Sequence, residues 1–373
     1  MWAERNCLSV AQAVNEGVHF KGVLAMYTKA LIAGINLRGI ELRAESLKGY
    51  LLAANSLFAA KGYPEPVDLS DPDTCPSANF YKQIRTWEKE PNRRTHMTPE
   101  FLQQLITQAD ATADKDSFVC VVVDWTIMAR YAAFRICEVG QKTQSRIEYH
   151  EVKVTGRRIM MAFARGDFVF LDIHDRQIFH VEHHRDLICK CEITWRVQKN
   201  RRNGQKITWM RDTVNPRLCM VEAAIRIHIR SLRYDIPGAH PLGFYIEKGR
   251  MKYITGRKIS AYFKDVAQIV YPGIQKEGLS QFSSHMWRVT AAVLLQQAGK
   301  DADYTKMRLR WAGESYSLYL RNTAILAKQH LAAVSAQDAH FVDAYQLDPS
   351  ALPEQPLDEI APIDHTGDNY QAF

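Results

Sequence analysis

The stretch RLRWAGESYSLYLRN, residues 308–322, sets Trp311 ahead of two tyrosines, Tyr316 and Tyr319, with three arginines among them. A phenol with a pKa near ~10 is a poor nucleophile at neutral pH unless a base or a cationic surround assists it. Residues of both kinds stand elsewhere in the chain. In AAFRICEVG, Arg135 and Glu138 lie three apart at a helix end and can face the same way. In SSHMWRVTAAVLLQQAG, His285 and Arg288 fall at i and i+3 in the first turn of a helix, where backbone N–H groups and the helix dipole favour an anion. Lys199 stands where a strand gives way to a basic turn holding Arg201, Arg202 and Lys206. Breaking a phosphodiester without a metal needs these types: a nucleophile, an acid for the leaving oxygen, and guanidiniums that donate paired hydrogen bonds to phosphate. Blander readings stand beside each. Arg135 and Glu138 could be a surface ion pair, Lys199 part of a solvated loop, and His285 a structural histidine.

The elements that must position these residues can be read from periodicity. Residues 1–93 read as helical: in ESLKGYLLAANSLFAAKG the residues Leu47, Tyr50, Leu51, Ala54, Leu57 and Phe58 mark one face, and Gly62 and Pro64 stop the helix. A second helix is predicted around SANFYKQIRTWEKE. The boundary falls in EPNRRTHMTPE, where Thr98 can cap a new helix with Pro99 in its first position. Ser117 to Phe134 reads as a buried helix, although CVVV alone fits a strand equally well. Residues 145–211 turn β-rich, most clearly in CEITWRVQKNRRNGQKITWMRD, two alternating runs about Asn203-Gly204. Helices then resume. Asn215-Pro216 opens one, and Ile259, Tyr262, Phe263, Val266, Ile269 and Val270 repeat the one-face pattern. The expected class is mainly α with a small antiparallel β-sheet, α+β.

The ordered set Arg135, Lys199, His285-x-x-Arg288, Trp311 and Tyr319 resembles the catalytic signature of the tyrosine recombinases. That family pairs its first arginine with an acidic residue three positions on, and places a tyrosine eight or nine positions after a His or Trp. Tyr319 is eight after Trp311 and Tyr316 only five, so the resemblance points to Tyr319. The run YLRN resembles the Cre-like branch, and the spacing of RLRWAGESYSLYLR is similar to recombinases of Crypton and DIRS-like mobile elements. Two positions depart from the commonest pattern: Trp311 replaces a histidine and cannot move a proton, and Cys137 stands where a small residue or Ser is usual. The resemblance implies a helical core-binding domain at 1–93 and a catalytic domain at 94–335. It also implies double-stranded DNA as partner, a homotetramer on two duplexes, a 3′-phosphotyrosine intermediate, and no metal or other cofactor. In that scheme Arg135 and Arg288 clamp the phosphate, Lys199 protonates the leaving oxygen, His285 assists Tyr319, Trp311 positions the phosphate, and Glu138 supports. A type IB topoisomerase, or a non-catalytic DNA-binding descendant of a mobile-element enzyme, are the alternatives.

Charge agrees with a polyanionic partner. The chain of 373 residues carries +7, yet residues 336–373 hold eight acidic residues and no Lys or Arg, so the body is more basic than the whole. That tail reads as disordered. Candidate DNA contacts are Arg93, Arg94, Arg201, Arg202, Lys206, and the i, i+4, i+7 face of Arg226, Arg230 and Arg233, which solvation explains as well. Seven scattered cysteines, no run of apolar residues long enough to span a bilayer, and no signal-like N-terminus suggest a soluble, intracellular protein without membrane contact. It would be found with the DNA, nuclear in a eukaryote and in the cytoplasm or nucleoid of a prokaryote. His180, His183, His184, Cys189 and Cys191 fit no common zinc spacing.

Overall fold

The computed structural model describes residues 17–33, 42–60, 62, 64–88, 94–151, 158–198, 203–311 and 313. Its contacts divide the chain into two compact units, Met1–Asn92 and Arg93–Phe373.

The first unit holds three described helices, α1 (Gly17–Ile32), α2 (Ala44–Ala60) and α3 (Pro76–Trp87). Their shared core is built from Leu24, Leu31, Leu47, Leu51, Val67, Ala78 and Tyr81. The buried face of α2 is narrower than its periodicity suggests: Tyr50 and Leu57 are exposed, while Asn55 is buried. Asn55 satisfies both of its amide ends, donating to the Val67 carbonyl at 2.6 Å and accepting from the Val67 N–H at 3.0 Å. A polar residue thus occupies an inward position because it completes the backbone of the neighbouring loop.

The second unit is organised around α5 (Phe118–Ala132), whose residues Cys120 to Ala129 are all buried. A helix buried along nearly its whole length must be surrounded. Here α4 (Pro99–Ala111), α7 (Met220–Arg233) and α10 (Met286–Gln297) pack against it. Burying Val121, Val122, Ile127 and Met128 stabilises the unit by roughly 1.5–3 kcal/mol each. The start of α4 is as its sequence predicts: Pro99 opens it, and the Thr98 hydroxyl accepts from the Phe101 N–H. The ambiguous CVVV run is helix.

Between α5 and α7 lie the one-turn helix α6 (Ile136–Val139), the strand pair β1 (Tyr149–Glu151) and β2 (Arg158–Met160), and an antiparallel sheet. That sheet is ordered β3 (Phe168–Leu171), β4 (Lys190–Trp195), β5 (Gln205–Met210). In the expected hairpin, Ile193 faces Ile207, Trp195 faces Gln205, and Gly204 takes φ +79° in the turn. A hairpin that periodicity missed follows α7: β6 (Phe244–Glu247) and β7 (Arg250–Tyr253), turned by Lys248 and Gly249 at positive φ. Helices α8 (Gly256–Val270), α9 (Lys276–Leu279), α10 and α11 (Ala302–Leu309) complete the unit. In α8, Ile259, Phe263 and Val266 are buried as expected, Ala267 joins them, and Ile269 is exposed. The architecture is α+β, predominantly helical with small antiparallel sheets.

Candidate functional site

The site is built on the C-terminal end of α5. Ala133 ends that helix in the left-handed region (φ 49°, ψ 48°). The last carbonyls of a helix have no partner within it, and here two arginines from distant segments supply the donors. Arg288 Nη1 donates to the Ala133 carbonyl at 2.8 Å, and Arg310 Nη2 to the Ala132 carbonyl at 2.9 Å. Both cations sit at the negative end of the α5 dipole, where positive charge is stabilised.

Arg135 follows two residues on, as the N-cap of α6. Its backbone N–H donates to Glu138 Oε2 at 2.9 Å and its Nη1 to Oε1 at 3.0 Å. The same carboxylate accepts from Arg310, Nη1 to Oε1 at 3.2 Å and Nη2 to Oε2 at 3.4 Å. The pair read from sequence is therefore no surface ion pair: the Glu138 side chain is 3% exposed, that of Arg310 0%, and that of Arg135 22%. Burial works to raise the Glu138 carboxyl, but Arg310 and Arg135 outweigh it and hold it below the ordinary carboxylate range. Two guanidiniums on one carboxylate leave the cluster with a positive surplus, suited to an anion.

Backbone bonds fix this turn against the strands. The Glu138 carbonyl accepts from Phe163 N–H at 2.8 Å, Gln141 N–H donates to the Ile254 carbonyl at 2.8 Å, and Ile254 N–H donates to the Gly243 carbonyl at 2.8 Å. Gly243 is required by closeness, since a Cβ there would run into the Val139 carbonyl oxygen.

The second arginine comes from α10. Trp287 Nε1 donates to Thr126 Oγ1 on α5 at 3.0 Å, and Thr290 Oγ1 accepts from Met97 N–H at 2.8 Å, which together set the rotation of α10. His285 is its N-cap residue and Arg288 lies in its first turn. Burial, then the charges of Arg288 and Arg94, push His285 below its ordinary 6.5, so it is neutral and able to accept a proton at physiological pH. Arg288 stacks on the Trp311 ring at 4.6 Å from its centroid. Beside the turn, desolvation and the Glu138 charge raise the Cys137 thiol above its ordinary value.

Of the sequence-predicted site residues, Arg135, Glu138, Arg288 and Trp311 fall within one contact network at the end of α5, with His285 at the same helix start as Arg288. Lys199, Tyr319, Arg93, Arg201 and Arg202 lie outside the described residues, as does Tyr316. Arg94 is exposed and donates to the Ser280 carbonyl. Lys206 is exposed with its ammonium 3.0 Å from Glu192 Oε1.

The basic face on α7 is corrected. Arg230 is buried, its Nε 3.1 Å from Asp116 Oδ1 and its Nη2 2.9 Å from Asp124 Oδ2. Arg226 pairs with Asp124 at 2.7 Å and Arg233 with Asp116 at 2.7 Å. Two buried carboxylates draw these arginines inward because an unpaired charge in the interior is costly. Arg230 is structural, and the more exposed Arg226 and Arg233 are already paired. Arg310, in contrast, was missed. Nothing in a sequence marks a helix-ending arginine as buried, and the position after a helix ordinarily calls for Gly.

Among the described residues no group of three or more His, Cys, Asp or Glu is placed to hold a metal ion, and no helix is long and apolar enough to cross a membrane.

No family model and no curated protein matches the chain. Among solved structures it is similar to the Tn1549 transposon integrase in complex with circular intermediate DNA, at 12% identity and a TM-score of 0.40, over 86% of this chain and 85% of that one. It is also similar to XerA recombinase, at 14% identity and a TM-score of 0.34, over 84% of this chain and 92% of that one. A function is carried by side chains rather than by a fold.

Proposed function

We propose that the protein is a site-specific DNA recombinase of the tyrosine class, serving the movement of a mobile element, that cuts and rejoins strands through a 3′-phosphotyrosine link. The observation that carries the reading is the gathering of Arg135 and Arg288, 153 positions apart, on one helix end, with Arg288 over the Trp311 ring and His285 starting its helix. Within 94–335, the proposed catalytic domain, Tyr319 Oη attacks the scissile phosphorus, and His285 takes its proton. Guanidiniums of Arg135 and Arg288 bear the charge that grows on the nonbridging oxygens, the term that dominates such reactions. Lys199 donates a proton to the departing 5′-oxygen, and the phosphotyrosine bond conserves the energy of the bond broken. Attack by a 5′-hydroxyl reverses the step, returning the proton to Tyr319. Residues 1–93 would grip the duplex as a core-binding domain. Strand exchange takes four such cleavages, which four subunits on two duplexes supply.

The test is a duplex nicked beside the scissile phosphate, so that the short product diffuses away and the covalent adduct accumulates. Wild-type protein is expected to give a protein–DNA adduct on denaturing gels, Tyr316→Phe to give it also, and Tyr319→Phe to give none. An adduct that persists in Tyr319→Phe refutes the assignment. Relaxation of supercoiled DNA without any exchange of strands would favour a topoisomerase instead.

A further inference from the structure

Arg310 is a costly residue for which the recombinase reading, on which this inference rests, has so far no role. It follows α11 in the left-handed region (φ 61°, ψ 44°), where a side chain is disfavoured and Gly is the usual choice. Its guanidinium is wholly buried, although burial drags its pKa down from the ordinary arginine value. A buried arginine–glutamate pair is a poor device for stability, since apolar residues of like volume do as well or better. Three contacts say what it does instead. Arg310 grips the Glu138 carboxylate that orients Arg135, at 3.2 Å. It closes the end of α5 at the Ala132 carbonyl, next to the carbonyl that holds Arg288. It sits over the Trp195 ring, 3.9 Å from the centroid, at the end of β4 and four residues before Lys199. The next residue is Trp311, on which Arg288 stacks.

We propose that Arg310 is a positioning residue that locks the Arg135 turn, the root of the Lys199 hairpin and the Trp311 segment to one another through Glu138. Because the carboxylate receives both arginines, Glu138 cannot turn away from Arg135 without also giving up its contacts with the buried Arg310 guanidinium. The Arg135 guanidinium is thereby held in one orientation before DNA arrives, which is the preorganisation that electrostatic catalysis requires. Arg310 acts through Glu138 and Trp195 and does not itself touch the phosphate.

The experiment measures adduct formation on the nicked duplex at saturating DNA, with DNA affinity and thermal unfolding measured alongside. Arg310→Gly suits the backbone conformation and removes the guanidinium. It is expected to remain folded, to bind DNA within about threefold of wild type, and to form adduct about 100-fold more slowly, the effect of a small misplacement at the reacting centre. Glu138→Gln should slow the reaction comparably, and the double variant should be no slower than the slower single, because both act through one contact. Should Arg310→Gly not fold, Arg310→Lys decides: it keeps the charge but loses the fork, and is expected to be at least about tenfold slow. Wild-type rates in the folded variant, or losses that multiply in the double variant, overturn the proposal. An adduct from wild type and from Arg310→Gly at equal rates removes this inference alone; no adduct from wild type removes the recombinase reading and this inference with it.

Discussion

His285 shows how a single side chain is tuned by what surrounds it. Burial and the two cations Arg288 and Arg94 all disfavour the imidazolium, so the folded pKa lies below 6.5 and the neutral base is present at and above neutral pH. As pH falls through that lowered value the ring protonates, and cleavage that depends on it is lost. The acid limb of single-turnover cleavage at saturating DNA is therefore expected below pH 6.5. Arg94→Ala, which removes one of the cations, should move that limb to higher pH. A limb that stays in place or moves lower in Arg94→Ala would sink the assignment of His285 as base. The candidate site was legible at this scale where residue type and i, i+3 spacing carry the information, as for Arg135 with Glu138 and His285 with Arg288. It was illegible where burial decides. The arginines of α7 share one face in any helix, and whether that face meets DNA or a pair of aspartates depends on Asp116 and Asp124, more than 100 positions away from Arg230. Arg310 was hidden for the same reason, its partners being set by the end of another helix.

Elements translate those side chains into a geometry. The start of α4 was legible because Thr98 and Pro99 announce it, while α5, largely apolar but holding Asp124 and Arg130, could be read as a buried helix only by its length, CVVV alone fitting a strand as well. The β4–β5 hairpin was legible from alternation about Asn203-Gly204. The β6–β7 hairpin was not, since four-residue strands give alternation too little length and Lys248-Gly249 alone marks the turn. Yet that hairpin fixes the arginine turn, through Gln141 on the Ile254 carbonyl and through the close pass of Gly243 on Val139. Gly243→Ala cannot be accommodated by a rotamer, because its Cβ meets backbone. The turn carrying Arg135 and Glu138 must shift. The expected cost is about 1–3 kcal/mol of stability, as for other overpacked sites, with a slowing of adduct formation that exceeds any loss of DNA affinity. Unchanged adduct rates in a folded Gly243→Ala protein would show that the strand contact does not set the turn.

At the scale of the whole molecule the described residues form a core around Leu47 and Leu51 in the first unit and a larger one around α5 in the second. Units with their own cores unfold as units, so a single two-state transition is not expected of the full chain. The smaller core is the weaker, because a short chain buries a smaller share of its surface. Two substitutions assign the transitions. Asn55→Ala removes the amide that satisfies Val67 and leaves its backbone groups without that partner, at about 1–3 kcal/mol, in the first unit only. Arg230→Ala strips the buried Asp116 and Asp124 of their shared cation, at about 3–5 kcal/mol, in the second unit only. Denaturant unfolding followed by circular dichroism should show two transitions, the earlier displaced by Asn55→Ala and the later by Arg230→Ala. In the folded range, Arg230→Ala should leave the salt dependence of DNA binding unchanged, because a guanidinium buried between carboxylates releases no counterion from a phosphate. One transition displaced alike by both variants would mean the units fold as one, and a salt slope reduced in Arg230→Ala would return that arginine to the DNA.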